Sequence, residues 1–170
     1  MGRRGGGKTQ LHYYCEHGMT SRVARMLAMR SIDVEARVGG SGLGWTCLHA
    51  AAVNGHLSIC RLLIDKGAEL ESKDWYGWAP LHHAAIEGHI EIVRLLCDRG
   101  ADVKARDNNG WRPLHHAAEY GHITVVKELI EERNAEINAR NGNGSTALMW
   151  ARLRNKPDIA SYLISHGGIE

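Results

Sequence analysis

The stretch APLHHAAIEGH, residues 79–89, decides the fold because the chain repeats it. RPLHHAAEYGH (112–122) matches it 33 residues later, and TCLHAAAVNGH (46–56) matches it 33 residues earlier. TALMWARLRNK (146–156) is a divergent copy, and TQLHYYCEHGM (9–19) is a faint one. A fixed period of this length is typical of a solenoid, in which each unit buries its apolar face against its neighbours. The sequence therefore predicts five repeats at roughly 9–37, 38–73, 74–106, 107–140 and 141–170.

Each repeat is predicted to contain two short helices. In the third repeat, Leu81 and Ala85 lie on one small apolar face, and Gly88 ends the first helix. Val93 and Leu96 then belong to the apolar stripe of a second, amphipathic helix. Proline is confined to predicted helix starts, where its missing N–H costs nothing: Pro80, Pro113 and Pro157.

The 33-residue period, the APLHHAA segment and the GADVKA ending together resemble the ankyrin repeat. The resemblance implies an all-α repeat solenoid of helix-turn-helix units, with β-hairpin finger loops and a concave groove between the fingers and the first helices. It weakens at both ends: Met149 replaces the tetrapeptide histidine, Arg152 replaces a small alanine, and the first repeat keeps only Leu11, His12 and Gly18. Terminal repeats cap the stack and face water, so departures are expected there.

The segment GRRGGGKT, residues 2–9, matches the phosphate-loop pattern G-x-x-x-x-G-K-[ST]. A working phosphate loop needs a strand that leads into it, and only Met1 precedes this match in the sequence. Thr9 instead falls at the N-cap of the first repeat, where its hydroxyl would satisfy a free helix amide. We therefore expect residues 1–8 to form a flexible glycine-rich leader, with nucleotide binding as a remote alternative.

Composition and charge narrow the choice of partner. The 170 residues are 44% hydrophobic and 24% charged, with a formal charge of +2, as in ordinary globular domains. No concentrated basic face indicates a nucleic-acid partner, and no apolar run approaches the roughly 20 residues that would cross a membrane. The four cysteines form no C-x-x-C pair and no signal-peptide pattern is present, so we expect the protein in a reducing compartment, the cytoplasm or the nucleus. We also expect the chain to be a monomer.

The eleven histidines do not indicate a metal site. Equivalent residues on neighbouring helices lie about 8–10 Å apart, too far for ligands that each bond zinc at about 2 Å. In ankyrin-like sequences such imidazoles bond to backbone and loop groups within and between repeats. No nucleophile-base set or carboxylate pair stands apart from the repeat pattern either, so we expect no metal, no cofactor and no enzymatic activity.

Function is expected at positions that the repeat does not dictate. The leucine and alanine positions of each first helix face the stack, so the opposite face should line the groove together with the finger loops. The expected partner-binding residues are Trp45, Trp75, Tyr76, Trp78, His83, Ile86, Glu87, Asn108, Asn109, Trp111, His116, Glu119, Tyr120 and Trp150.

The sequence predicts different roles for two groups of aromatic residues. Trp45, Trp78 and Trp111 recur at a spacing of 33, which favours a structural role in packing on the next finger. Trp75 and Tyr76 do not recur, and exposed Trp and Tyr are common anchors of protein interfaces. The sequence thus predicts a non-catalytic interaction module or scaffold that binds a protein or peptide through the groove and fingertips. A structural spacer or regulatory segment of a larger protein is the alternative.

Overall fold

The computed structural model describes residues 9–29, 31–38 and 43–170, and over these residues it contains ten α-helices and no β-strand. The helices are α1 (Gln10–Glu16), α2 (Thr20–Leu27), α3 (Cys47–Val53), α4 (Leu57–Asp65), α5 (Pro80–Glu87), α6 (Ile90–Asp98), α7 (Pro113–Tyr120), α8 (Ile123–Lys127), α9 (Ala147–Leu153) and α10 (Pro157–Ser165). A π-helical turn, Glu128–Glu132, continues α8. The predicted leader, residues 1–8, lies outside the described residues.

The helices form two layers. The first helix of each pair packs against the first helices of adjacent repeats, from α1 to α9, and the second helices make a parallel row from α2 to α10. Contacts between neighbours dominate, as in any solenoid. The predicted all-α repeat solenoid is confirmed.

The core follows the sequence period. Each first helix buries one leucine in the core: Leu11, Leu48, Leu81, Leu114 and Leu148. The alanines beside them are also buried, and their small side chains let adjacent first helices approach closely. Larger aliphatic residues from the second helices, among them Ile92 and Leu129, fill the space between the two layers.

Helix ends match the predicted stops and starts. Asn134 and Asn155 replace glycine at two stops and adopt a left-handed φ of 53°, a conformation that asparagine tolerates better than most residues. At Gly88 the missing side chain also makes room for a neighbour, because a Cβ there would lie 2.3 Å from Nδ1 of His122. The His122 imidazole uses this space to donate from Nε2 to the Ile86 carbonyl at 2.7 Å. The expectation that such histidines bond to backbone between repeats is confirmed at this position.

Within residues 43–170 the finger loops are tight turns without a β-strand, which corrects the β-hairpin detail of the prediction there. The third finger closes with two backbone bonds, from the Asp74 N–H to the Trp78 carbonyl and from the Gly77 N–H to the Asp74 carbonyl, both at 3.0 Å. Two further backbone groups bond to adjacent fingers: the Trp75 N–H donates to Leu43, and the Tyr76 carbonyl accepts from Asn108, both at 3.1 Å. Because these bonds run between fingers, the fingers stack in a row instead of forming separate hairpins.

Candidate functional site: the groove and fingertips

Buried histidines hold the starts of three first helices. Nδ1 of His82 accepts from the Ala79 N–H at 3.1 Å, so the ring carries its proton on Nε2, which donates to the Ala105 carbonyl at 3.1 Å. His49 and His115 accept from a helix-start N–H in the same way, and they donate to carbonyls that include Trp78 and Ser145 of the following repeats. These imidazoles therefore cap helices and connect repeats.

Burial keeps these rings neutral. It lowers the pKa of His82 to about 3, and the pKa values of His49 and His115 to about 4. Within the described part of the chain, no three His, Cys, Asp or Glu side chains come together as a metal site. The same residues include no helix long and apolar enough to cross a membrane.

The predicted N-cap of the first repeat is confirmed. The Thr9 hydroxyl accepts from the His12 N–H at 3.3 Å and lies 2.7 Å from Nδ1 of that histidine. This hydroxyl is occupied as a helix cap, and the other residues of the phosphate-loop match lie outside the described part of the chain.

A buried carboxylate organises each central finger. Oδ1 of Asp74 accepts from the backbone N–H groups of Tyr76 and Trp78, both at 2.9 Å. Oδ2 accepts from the indole N–H of Trp45 at 3.2 Å and lies 3.0 Å from Nε2 of His83. The Trp45 indole from one repeat and the His83 imidazole from the next thus meet on one carboxylate.

The next repeat contains the same arrangement. Oδ2 of Asp107 accepts from the Trp78 indole at 2.9 Å and lies 3.2 Å from Nε2 of His116. Burial by itself raises the pKa of the Asp107 carboxyl, but the bonds from His116, the Trp111 backbone and Trp78 outweigh it and lower the pKa to about 2. These contacts account for the tryptophans at two finger bases, Trp45 and Trp78.

The structure corrects the sequence interpretation for three of the expected groove residues. His83, Ile86 and His116 expose only 3%, 7% and 5% of their surface, so they are not open groove side chains. His83 is buried by two finger-base rings, because those of Trp45 and Trp78 both lie 5.2 Å from its own ring and cover it.

The pattern breaks at the last repeat, which the sequence interpretation missed. Asn141 takes the place of the carboxylate, and its Oδ1 accepts from the backbone N–H groups of Asn143 and Ser145. This fixes the amide nitrogen where the second carboxylate oxygen lies in the earlier repeats. Trp150 replaces the histidine, and the centre of its ring lies 4.5 Å from that of Trp111 with a tilt of 46° between the rings. Nδ2 of Asn141 and Nε1 of Trp150 are both buried without a hydrogen-bond partner.

Three expected residues are strongly exposed and aromatic. Trp75, Tyr76 and Tyr120 expose 58%, 51% and 50% of their surface. The Trp75 ring also rests on the preceding finger, where a Cβ at Gly44 would lie 2.6 Å from its Cδ1 atom. Asn108 donates from its side chain to the Trp75 carbonyl at 2.9 Å, so the neighbouring fingers hold this tip in place.

The remaining expected residues fall into two groups. Glu87, Asn108 and Asn109 are exposed on the groove side of α5 and the fourth finger. Glu119 is partly buried, and its carboxylate accepts from Arg154 at 2.6 Å and 3.0 Å. The structure thus brings an open aromatic fingertip next to the Asn108 amide, while the third finger base is sealed.

The sequence matches the family model for ankyrin repeats over residues 11–107 and 100–170. The chain belongs to the ankyrin repeat family. The family model describes three copies of the repeat, whereas the sequence predicted five. The five helix pairs are therefore a feature of this structure and not of the family match. Ankyrin repeats generally mediate protein–protein interactions.

One curated relative is the ankyrin repeat and SAM domain-containing protein 6 of Danio rerio. It is 41% identical to this chain over 54 residues, which is 32% of this chain and 7% of that protein. The match therefore supports the repeat family and is silent about the remainder of the larger protein.

Proposed function

We propose that this ankyrin repeat domain is a non-catalytic module that binds a protein or peptide through the fingertips and groove of its second to fourth repeats. The observation that carries the proposal is the open tip formed by Trp75 and Tyr76. The equivalent positions in the next finger are Asn108 and Asn109, so the repeat fold does not require two aromatic rings here. Large apolar side chains that stay exposed on an ordered surface are characteristic of binding sites.

The test compares proteins captured from cell extract by the wild-type chain and by the double variant Trp75→Ala, Tyr76→Ala. Ile164→Ala is the matched control, because Ile164 is 49% exposed but lies on α10 in the second-helix layer. We expect the double variant to lose at least one partner that the control retains. Capture of the same proteins by all three would refute binding at this tip and would favour a spacer role.

With a purified partner, the double variant should bind at least about 2 kcal/mol more weakly, or roughly thirtyfold, as truncated interface anchors do. Its free energy of unfolding should change by about 0.5 kcal/mol or less, as for ordinary surface substitutions. Early unfolding in urea would instead assign the two rings to packing between the fingers.

A further inference from the structure

The residues expected to bind a partner in the second to fourth repeats are aromatic, acidic or amide side chains. None of them is Lys or Arg, although the whole chain has 21 basic and 19 acidic residues. Two basic residues of these repeats bond along the finger stems: Arg37 donates to the Lys73 carbonyl at 2.6 Å, and Lys73 donates to the Arg106 carbonyl at 2.8 Å. The expected contacts therefore carry negative charge, whereas the formal charge of the chain is +2.

Two carboxylates belong to the repeats that carry the aromatic rings. Glu87 is exposed on α5, one helical turn after His83, and the His83 ring lies 5.2 Å from that of Trp78. Behind the Trp78 ring, its indole N–H donates to Asp107, whose lowered pKa keeps the carboxylate ionised at neutral pH. Donation to a carboxylate polarises the indole and increases the negative potential of its face.

The rings also have a geometry that suits a cation. Trp75 and Tyr76 are open to solvent, and the Tyr76 and Trp78 rings lie 5.2 Å apart with a 35° tilt. A Lys or Arg side chain is attracted to an aromatic face within about 6 Å of the ring centre. A cation on this tip would have ring faces beside it, and Glu87 on α5 adds negative charge to the same repeat.

We propose that the surface formed by Trp75, Tyr76, Trp78 and Glu87 binds a Lys or Arg side chain in a partner peptide. This rests on the proposed function and specifies its ligand chemistry. An acidic peptide would meet repulsion from Glu87 and no basic group at any expected contact of these repeats. The basic residue closest to the far end of the groove, Arg154, is already paired with Glu119.

The probe is a random dodecapeptide library displayed on phage and selected against the immobilised chain. We expect the selected peptides to be enriched in Lys and Arg relative to the unselected library. The strongest peptide is then synthesised together with a version in which Gln replaces its Lys and Arg residues. This neutral version should bind roughly tenfold more weakly or worse, because it loses the cation–π and ionic attraction.

Two variants and one control locate the site. Glu87→Lys should weaken the selected peptide about tenfold, and the Trp75→Ala, Tyr76→Ala double variant about thirtyfold. Glu132→Lys is the control, since Glu132 is exposed beyond α8 in the second-helix layer and carries the same charge reversal. Circular dichroism and the urea midpoint establish that each variant is folded.

The outcomes separate the two proposals. Peptides that lack Lys and Arg but still depend on Trp75 and Tyr76 would overturn the cation inference and leave the proposed function standing. Equal weakening by Glu87→Lys and Glu132→Lys would overturn it too, since the attraction would then come from overall charge. Failure to select any peptide sensitive to Trp75 and Tyr76 would overturn both.

Discussion

Lowering the pH from about 7.5 to about 5 should destabilise the fold through three buried histidines, His49, His82 and His115. Each holds a helix start and a carbonyl of a following loop while its ring is neutral. Their folded pKa values are lowered from 6.5 to about 4, 3 and 4. Between the folded and unfolded pKa values the unfolded chain binds more protons, so stability rises with pH and is lost as pH falls below about 6.5.

The size of the effect follows from the pKa differences. One pKa unit corresponds to about 1.4 kcal/mol, so at pH 5 each histidine costs about 1–2 kcal/mol of stability and the three together about 3–6 kcal/mol. This is comparable with the whole stability of a typical domain, about 5–15 kcal/mol. Asp74 and Asp107 have lowered pKa values, so their contribution is lost only at lower pH, as the carboxylates protonate.

Urea unfolding followed by circular dichroism at several pH values from about 7.5 to about 5 measures this loss. His82→Gln should be less stable at neutral pH but lose less on acidification, since one titrating group is gone. The core variant Ile92→Val is the control, because it should lower stability by about 0.5–1.5 kcal/mol without changing the pH slope. A free energy of unfolding that stays constant over this range would refute the reasoning, as would equal slopes for wild type and His82→Gln.

Three further predictions concern stability and are checked by urea unfolding at neutral pH. Asn141→Asp should raise the free energy of unfolding by about 0.5–1.5 kcal/mol, because it supplies an acceptor for the buried indole of Trp150, which takes the place of the histidine that contacts Asp107 in the preceding repeat; a loss would show that burying the charge outweighs the new bond. Leu114→Ala should cost about 2–5 kcal/mol by opening a cavity between neighbouring repeats, and an unchanged midpoint would remove Leu114 from the core. Ala79→Thr should add about 0.5–1 kcal/mol, because the Thr46 hydroxyl lies 2.8 Å from Nδ1 of its own histidine in the equivalent place; a reproducible loss would mean that the site is too tightly packed for the hydroxyl.

The sequence alone predicted the features that depend on local chemistry. Glycine or asparagine at helix ends and proline at helix starts follow from local backbone geometry, and one leucine per first helix recurs with them, so the repeat period is sufficient to place them. The same holds for the Thr9 cap, which is bonded to a residue three positions away. The local pattern therefore determined the solenoid and its core.

Only the tertiary structure decided which groove positions are open. Helical periodicity placed His83 and Ile86 on the face away from the stack, but it contains no information about a loop that folds over that face. His83 is buried because Trp45, from the preceding repeat, and Asp74, at the start of its own finger, both converge on it. The Trp75 ring packs on Gly44 of the neighbouring finger, and because glycine has no side chain, nothing from that residue covers the ring. These outcomes depend on how adjacent fingers stack, and that is a property of the assembled repeats and not of any one of them.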